Sequence, residues 1–265
     1  MTTGEGRKPK ASKPRIREVP AVSRAIAILR LLGGTPDPLG VKAIANSLSL
    51  VPSTCLHILR VLVAEGLVKV DSDTKRYALG SGMLSLAYSV IERSGFASLV
   101  QPGLDRLAQT WNITTIGVEI QSNDHLVVLA ISRSSMPFGL HVDVGQGFPA
   151  LVSATGRLVA AFGDQTWSQL KKRFKSIRWD RPVEFNTWKE EVELTKKKGF
   201  SVDRDRYING VTIVAVPLFD QLGRTRYTIV GAGLSEQLDA AKIATLAKEM
   251  QHEAKHLSKL ILPRG

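Results

Sequence analysis

The sequence predicts an α+β protein of two domains, and three observations carry that expectation. Residues 19–80 hold three stretches with apolar residues at helical spacing, followed by two short alternating runs around a polar turn. Beyond about Phe96 the pattern changes to strand-like runs joined as hairpins, with helices set to one side. At 265 residues the chain is long enough for each part to bury its own core.

Residues 1–18 are rich in Lys, Arg, Pro and Gly with almost nothing to bury, so a disordered basic arm is expected, one that either grazes phosphates or aids solubility. The first helix follows from Ala25, Ile26, Ile28, Leu29 and Leu32, and GGTPDP stops it. A second, VKAIANSLSL, puts Ile44, Ala45 and Leu48 on one face. The third starts at Val51 and Pro52, where proline is well suited because a first-turn N–H has no helical partner. Its stripe of Leu56, Leu59, Leu62 and Val63 packs inward and leaves Ser53, Thr54, His57 and Arg60 on the outer side. LVKVD and RYALG then alternate around SDTK as a hairpin, with Lys75 and Arg76 beside its turn.

Three helices and a hairpin within 19–80 describe a winged helix-turn-helix. In that fold the second helix buttresses the third, whose N-terminal residues enter a major groove of double-stranded DNA. Ser53, Thr54, His57 and Arg60 are then the groove-facing candidates, and Lys75 and Arg76 the phosphate contacts. The competing reading is a protein-contact module with merely solvated basic residues. Residues 81–95 read as a linker helix with a broad apolar face of Met83, Leu84, Leu86, Ala87, Val90 and Ile91, suited to core or dimer contact.

The second domain, 96–265, is expected to open with a helix to Trp111, followed by strands TTIGVEI, HLVVLAIS and GLHVDVG and a helix from Ser153 to Phe162. After a polar segment comes a helix capped by Asn186 and stopped at Gly199. Strands FSVD, GVTIVAVPLFD and YTIVGAGL follow, and an amphipathic helix from Asp239 to Leu260 closes the chain. Hairpin-linked strands with helices to one side suggest a GAF-like antiparallel-sheet domain that senses a small molecule.

Charge agrees with a polyanionic partner, nucleic acid before membrane. The formal net charge is +12, and through Gly80 there are 13 Lys and Arg against 6 Asp and Glu, leaving 23 against 18 for the longer remainder. Cys55 is the single cysteine, so no intrachain disulfide or cysteine-cluster metal site is available, in keeping with a reducing, cytoplasmic setting. The N-terminus lacks the apolar core of a signal peptide, and runs such as GVTIVAVPLF are about half of a bilayer span.

HEAKH, His252 to His256, matches the zinc-protease pattern in form. Ile243, Ala247, Met250, Ala254 and Leu257 form the apolar line of that helix, which turns both histidines to solvent. GAGL at Gly231 lacks the Rossmann glycine pattern and reads as a close-packed strand. No metal site, cofactor motif or catalytic triad can be nominated from spacing.

Over nearly its whole length the sequence resembles the IclR family of bacterial transcription regulators. The resemblance rests on SRAIAILRLLGG, SLVPSTCLHILRVLVAEGLV, DTKRYALGSGMLSLA, VGQGFPALVSATGRLVAAF, KKKGFSVDRDRYINGV and IVAVPLFDQLGR, in the expected order. It implies an effector-responsive, non-enzymatic regulator that binds a near-palindromic operator as a homodimer or homotetramer. Pro52 and His57 stand where the family often has Lys and Arg. The resemblance places the effector between the loop and helix at Ala154, Thr155 and Gly156 and the strands carrying Asp203, Ile213, Val230 and Ala232. Members that hold small hydrophilic acids tend to have Cys or Ser at the last three positions; their apolar character here implies an aromatic or largely apolar organic acid. The family's run of four carboxylates reads Asp203, Arg204, Asp205, Arg206, so either arginine clamps an effector carboxylate from inside or both are solvated beside the aspartates. The helix from Ser153 offers backbone N–H groups to an anionic head. Two other classes remain open at this level: an enzyme acting on a small organic acid with the helix-turn-helix as tether, and a ligand-blind architectural DNA binder.

Overall fold

The computed structural model describes residues 19–121, 125–134, 142–219 and 223–261, with the backbone alone for Val90–Ser94 and Ile261; the expected basic arm lies outside them. The chain divides into two units between Val90 and Ile91, inside the segment read as a linker helix.

In the first unit α1 (Pro20–Gly33), β1 (Leu39–Gly40), α2 (Val41–Ser47), α3 (Pro52–Ala64), β2 (Val68–Val70) and β3 (Arg76–Leu79) follow in order. The three strands pair antiparallel as β1-β3-β2, and the two-residue β1 is an addition to the expected hairpin. Ile28, Leu32, Ile44, Ala45, Cys55, Leu59, Leu62, Val68 and Tyr77 form the core, so the stripes read from the sequence meet in one cluster. The chain turns by 112° between α2 and α3, within the range of a helix-turn-helix. Gly66 ends α3 at φ +69°, letting the Leu67 N–H reach the Leu62 carbonyl at 2.9 Å. The exit of the wing crosses this turn, and a Cβ on Gly80 would lie 2.3 Å from the Gly66 carbonyl oxygen.

The linking helix α4 (Gly82–Ser94) leaves Leu84, Leu86 and Tyr88 exposed, at 71, 58 and 64 %. Leu84 and Leu86 of the expected apolar face are thus exposed, Met83 is half-buried, and the side chains of Val90 and Ile91 lie outside the described residues.

The second unit contains α5 (Phe96–Trp111), β4 (Thr114–Ile120), β5 (His125–Ser132), β6 (Gly147–Pro149), α6 (Ser153–Phe162), α7 (Trp167–Phe174), α8 (Phe185–Lys198), β7 (Ser201–Arg204), β8 (Val211–Phe219), β9 (Thr225–Leu234) and α9 (Ala240–Ile261). Six strands form one antiparallel sheet in the order β6-β5-β4-β9-β8-β7. The period of two sends Val214, Val216 and Ile229 to one face, against α5 and α9. There Phe96 stacks on Tyr227 with centroids 4.2 Å apart, and Ile243, Ala247, Met250, Ala254 and Leu257 of α9 are buried as their spacing predicts. Ile116, Val118, Ile213, Ala215, Val230 and Ala232 take the other face, below α6. Leu151, Leu170, Phe174, Trp188 and Val192 make a further small core with α7 and α8.

Three expectations are corrected. α7 forms within the expected polar segment, started by a reciprocal capping box between Thr166 and Gln169 and held by buried Leu170 and Phe174. The N-cap of α8 lies two residues earlier than expected, at Glu184, so Asn186 sits inside the first turn and caps nothing. Of the expected strand over 139–145, residues 139–141 lie outside the described residues; Val142–Gly145 is irregular backbone with a turn, and β6 carries the pairing to β5 instead.

Candidate functional sites

The exposed side of α3 is polar because its apolar stripe is spent on the core. Ser53, His57 and Arg60 are exposed and Thr54 is half-buried, while Cys55, Leu59 and Leu62 face inward. Burial of Cys55 pushes its thiol up from the ordinary value, which keeps it protonated. The wing turn is built by Asp71, whose Oδ1 accepts the N–H of Thr74 at 2.7 Å and of Asp73 at 3.1 Å; these bonds hold the Asp71 carboxyl below its usual range. Lys75, at φ +54°, and Arg76 are exposed beside that turn. Arg76 Nη1 donates to the Pro38 carbonyl at 3.2 Å, which ties part of this guanidinium to the fold.

In the second unit α6 covers the sheet only in part and leaves a cavity of about 690 Å³. Ile116, Val118, Leu126, Val128, Ile213, Val230 and Ala232 supply its sheet wall, with Val142, Phe148, Val152, Ser153 and Thr155 among the facing residues. Strand register assembles that wall from distant sequence: Ile213 pairs with Ala232, Ala232 with Thr114, and Val230 with Ile116. A Cβ on Gly156 would lie 2.1 Å from the Leu151 backbone, so only glycine lets α6 begin this close to the preceding loop. Ser153 at the first position of α6 adopts φ +54°, is 5 % exposed, and its Oγ has no hydrogen-bond partner among the described residues. A strained backbone and an unsatisfied hydroxyl at a helix N-terminus lining a cavity together make a place for a hydrogen-bonding anionic group. Tyr207 adds a phenol whose pKa is raised by burial and by the Asp180 and Asp203 carboxylates, so it stays protonated.

Not every residue expected at the effector site lines this cavity. Thr155, Ile213, Val230 and Ala232 do, whereas Ala154, Gly156 and Asp203 do not. Ala154 is fully buried and its carbonyl accepts the Ser201 hydroxyl at 2.6 Å; Gly156 presses on Leu151. Asp203 is engaged on both oxygens, by Arg157 Nη1 at 3.0 Å and by the Tyr207 N–H at 3.0 Å. Arg204 donates to the Leu238 and Ser235 carbonyls and lies 3.9 Å from the Asp205 carboxylate, and Arg206 pairs with Glu191 at 2.7 Å.

Sequence reasoning missed Arg157. It is 1 % exposed and binds Asp203, the Ser153 carbonyl at 2.9 Å and Glu191 at 2.7 Å, joining α6 to β7 and α8. Its carboxylate partners lie 34 and 46 residues away, so no local pattern marks it; an arginine inside the apolar run of α6 was the available signal. The HEAKH segment is engaged elsewhere: His252 and His256 are exposed and Glu253 pairs with Arg106 at 2.7 Å. No single described helix is long and apolar enough to cross a membrane.

Two family models match the chain, the IclR helix-turn-helix domain over residues 21–72 and the bacterial transcriptional regulator IclR C-terminal domain over residues 88–259. The chain is similar to the glycerol operon regulatory protein of Streptomyces griseus, at 28 % identity over 83 % of this chain and 85 % of that one. It is also similar to the transcriptional repressor AllR of Escherichia coli, at 22 % identity over 90 % and 89 %. Among solved structures, the IclR transcriptional regulator from Alicyclobacillus acidocaldarius superposes with a TM-score of 0.79 at 22 % identity, covering 91 % of this chain and 98 % of that one. An IclR homolog from Microbacterium hydrocarbonoxydans, solved with 4-hydroxybenzoate, gives 0.71 at 15 % identity over the same shares. Two of these relatives are named for regulation, one of an operon and one as a repressor of transcription. Matched in both its units, the chain belongs to the IclR family, and it is a transcription regulator with a helix-turn-helix DNA-binding domain and a C-terminal effector domain.

Proposed function

We propose that this regulator senses an organic acid with an aromatic or largely apolar body, and that occupancy of its C-terminal cavity changes its grip on a near-palindromic operator. The observation that carries the reading is the cavity itself: about 690 Å³, apolar along Ile213, Val230 and Ala232, with the unsatisfied Ser153 hydroxyl at a helix start. Apolar walls favour a hydrocarbon body, and the α6 N-terminus with Ser153 and Thr155 receives the carboxylate. The solved homolog that holds 4-hydroxybenzoate carries an aromatic acid on the same fold, which is in keeping with this choice.

On DNA, Ser53, Thr54, His57 and Arg60 read base edges from the start of α3, while Lys75 and Arg76 meet phosphates. The exposed apolar face of α4 supports a homodimer or homotetramer, since a two-fold assembly would cover it and match a two-fold operator. Cytoplasmic location follows from the DNA partner.

The test is fluorescence anisotropy of DNA from upstream of the protein's own gene, titrated with protein in the presence and absence of benzoate, 4-hydroxybenzoate and octanoate. The reading expects at least one acid to shift DNA affinity by about 5- to 150-fold, the usual size of an allosteric coupling. Sequence-independent DNA binding untouched by every acid that binds the protein would overturn it.

A further inference from the structure

The cavity has a second polar pole that the family-level reading leaves unassigned. Among the described residues lining it, Arg178 and Asp180 alone are charged, and both are exposed. Asp180 Oδ2 accepts the Asn209 N–H at 2.9 Å. Arg178 makes no hydrogen bond or ion pair among the described residues.

The segment that carries Arg178 is nonetheless held firmly. Ile177 and Trp179 on either side pack inward, with Trp179 5.8 Å from Phe174 and 6.2 Å, edge to face, from Tyr207. Two residues further on, the Arg181 N–H donates to the Arg206 carbonyl at 2.9 Å. Anchors on both sides hold Arg178 at the cavity's exposed edge, where it has no ion-pair partner among the described residues although Asp180 lines the same cavity.

We propose that the effector is a two-headed acid with an apolar spacer, one carboxylate at the α6 N-terminus beside Ser153 and the other on Arg178. This rests on the cavity being the effector site. A volume of about 690 Å³ has room for an elongated acid of this kind. Arg178 is then the residue that sets specificity for the outer group, and Asp180 penalises an acid placed on its own side.

The test uses linear acids whose span varies: hexanoate with adipate, octanoate with suberate, and decanoate with sebacate. Each is titrated calorimetrically into the full-length protein and its Arg178→Gln variant. The expected result is a diacid-to-monoacid affinity ratio of about five at one chain length, the scale of a partly solvated charge pair, falling to about one in Arg178→Gln. Asp180→Asn is expected to raise the ratio. A ratio near one at every length, or one that survives in Arg178→Gln, overturns the two-headed effector while the monoacids still report on the cavity. If no acid of either kind binds, the cavity reading falls with it.

Discussion

The outer side of α3 and the cavity under α6 offer two opposite ways of holding a partner. On α3 three of the four residues that would touch DNA, Ser53, His57 and Arg60, are exposed, and the core is built by their neighbours on the inner stripe, so function and stability use largely different side chains. In the cavity Ile213, Val230 and Ala232 are about 5 % exposed or less and belong to the hydrophobic cluster of the sheet, so the same side chains serve both ends. A convex site can change its sequence preference at little cost to the fold, whereas a concave one cannot.

Substitutions should separate the two regimes, and the largest effect is expected behind the cavity. Arg157→Ala strands the carboxylate of Asp203, whose side chain is fully buried, and leaves Glu191 with Arg206 alone, so it should cost about 3–5 kcal/mol in urea unfolding. A loss below about 1 kcal/mol would show that the network is not essential to α6. Ile213→Ser should cost about 1–3 kcal/mol of stability and also weaken any apolar effector; unchanged binding would remove Ile213 from the site. Arg60→Ala should leave unfolding within about 0.5 kcal/mol of the parent yet change discrimination among operator variants by about 1–3 kcal/mol. An Arg60→Ala protein that is as selective as its parent would confine Arg60 to a solvated face. The smallest effect belongs to Lys75→Ala, which should weaken all DNA sequences alike and reduce the slope of log affinity against log salt by about one.

The same contrast explains what could be read in the sequence. Period alone located α3, β4, β5, α6 and α9, because each has one face against a core and its apolar residues repeat accordingly. α7 is hard to read because only Leu170 and Phe174, one helical turn apart, are buried in an otherwise polar run. Asn186 resembles a cap by residue type, yet Phe185 packs against Phe174 and Trp188 within the helix, and the cap lies two residues earlier at Glu184. Of the residues named through the resemblance, Ile213, Val230 and Ala232 line the cavity wall, whereas Asp203 does not and has its carboxylate taken by Arg157. That pairing joins residues far apart in the chain, and so does the placing of Arg178 beside the β-sheet cavity. Neither leaves a local trace.

The most direct test of the concave site is a thermal-shift comparison of the parent protein and Ile213→Ser against aromatic and aliphatic carboxylic acids. A ligand that binds only the native state raises the midpoint by mass action. The account predicts that at least one acid with an apolar body raises the parent midpoint, and that the rise shrinks in Ile213→Ser at equal ligand concentration. No rise with any acid, or an equal rise in both proteins, would contradict it.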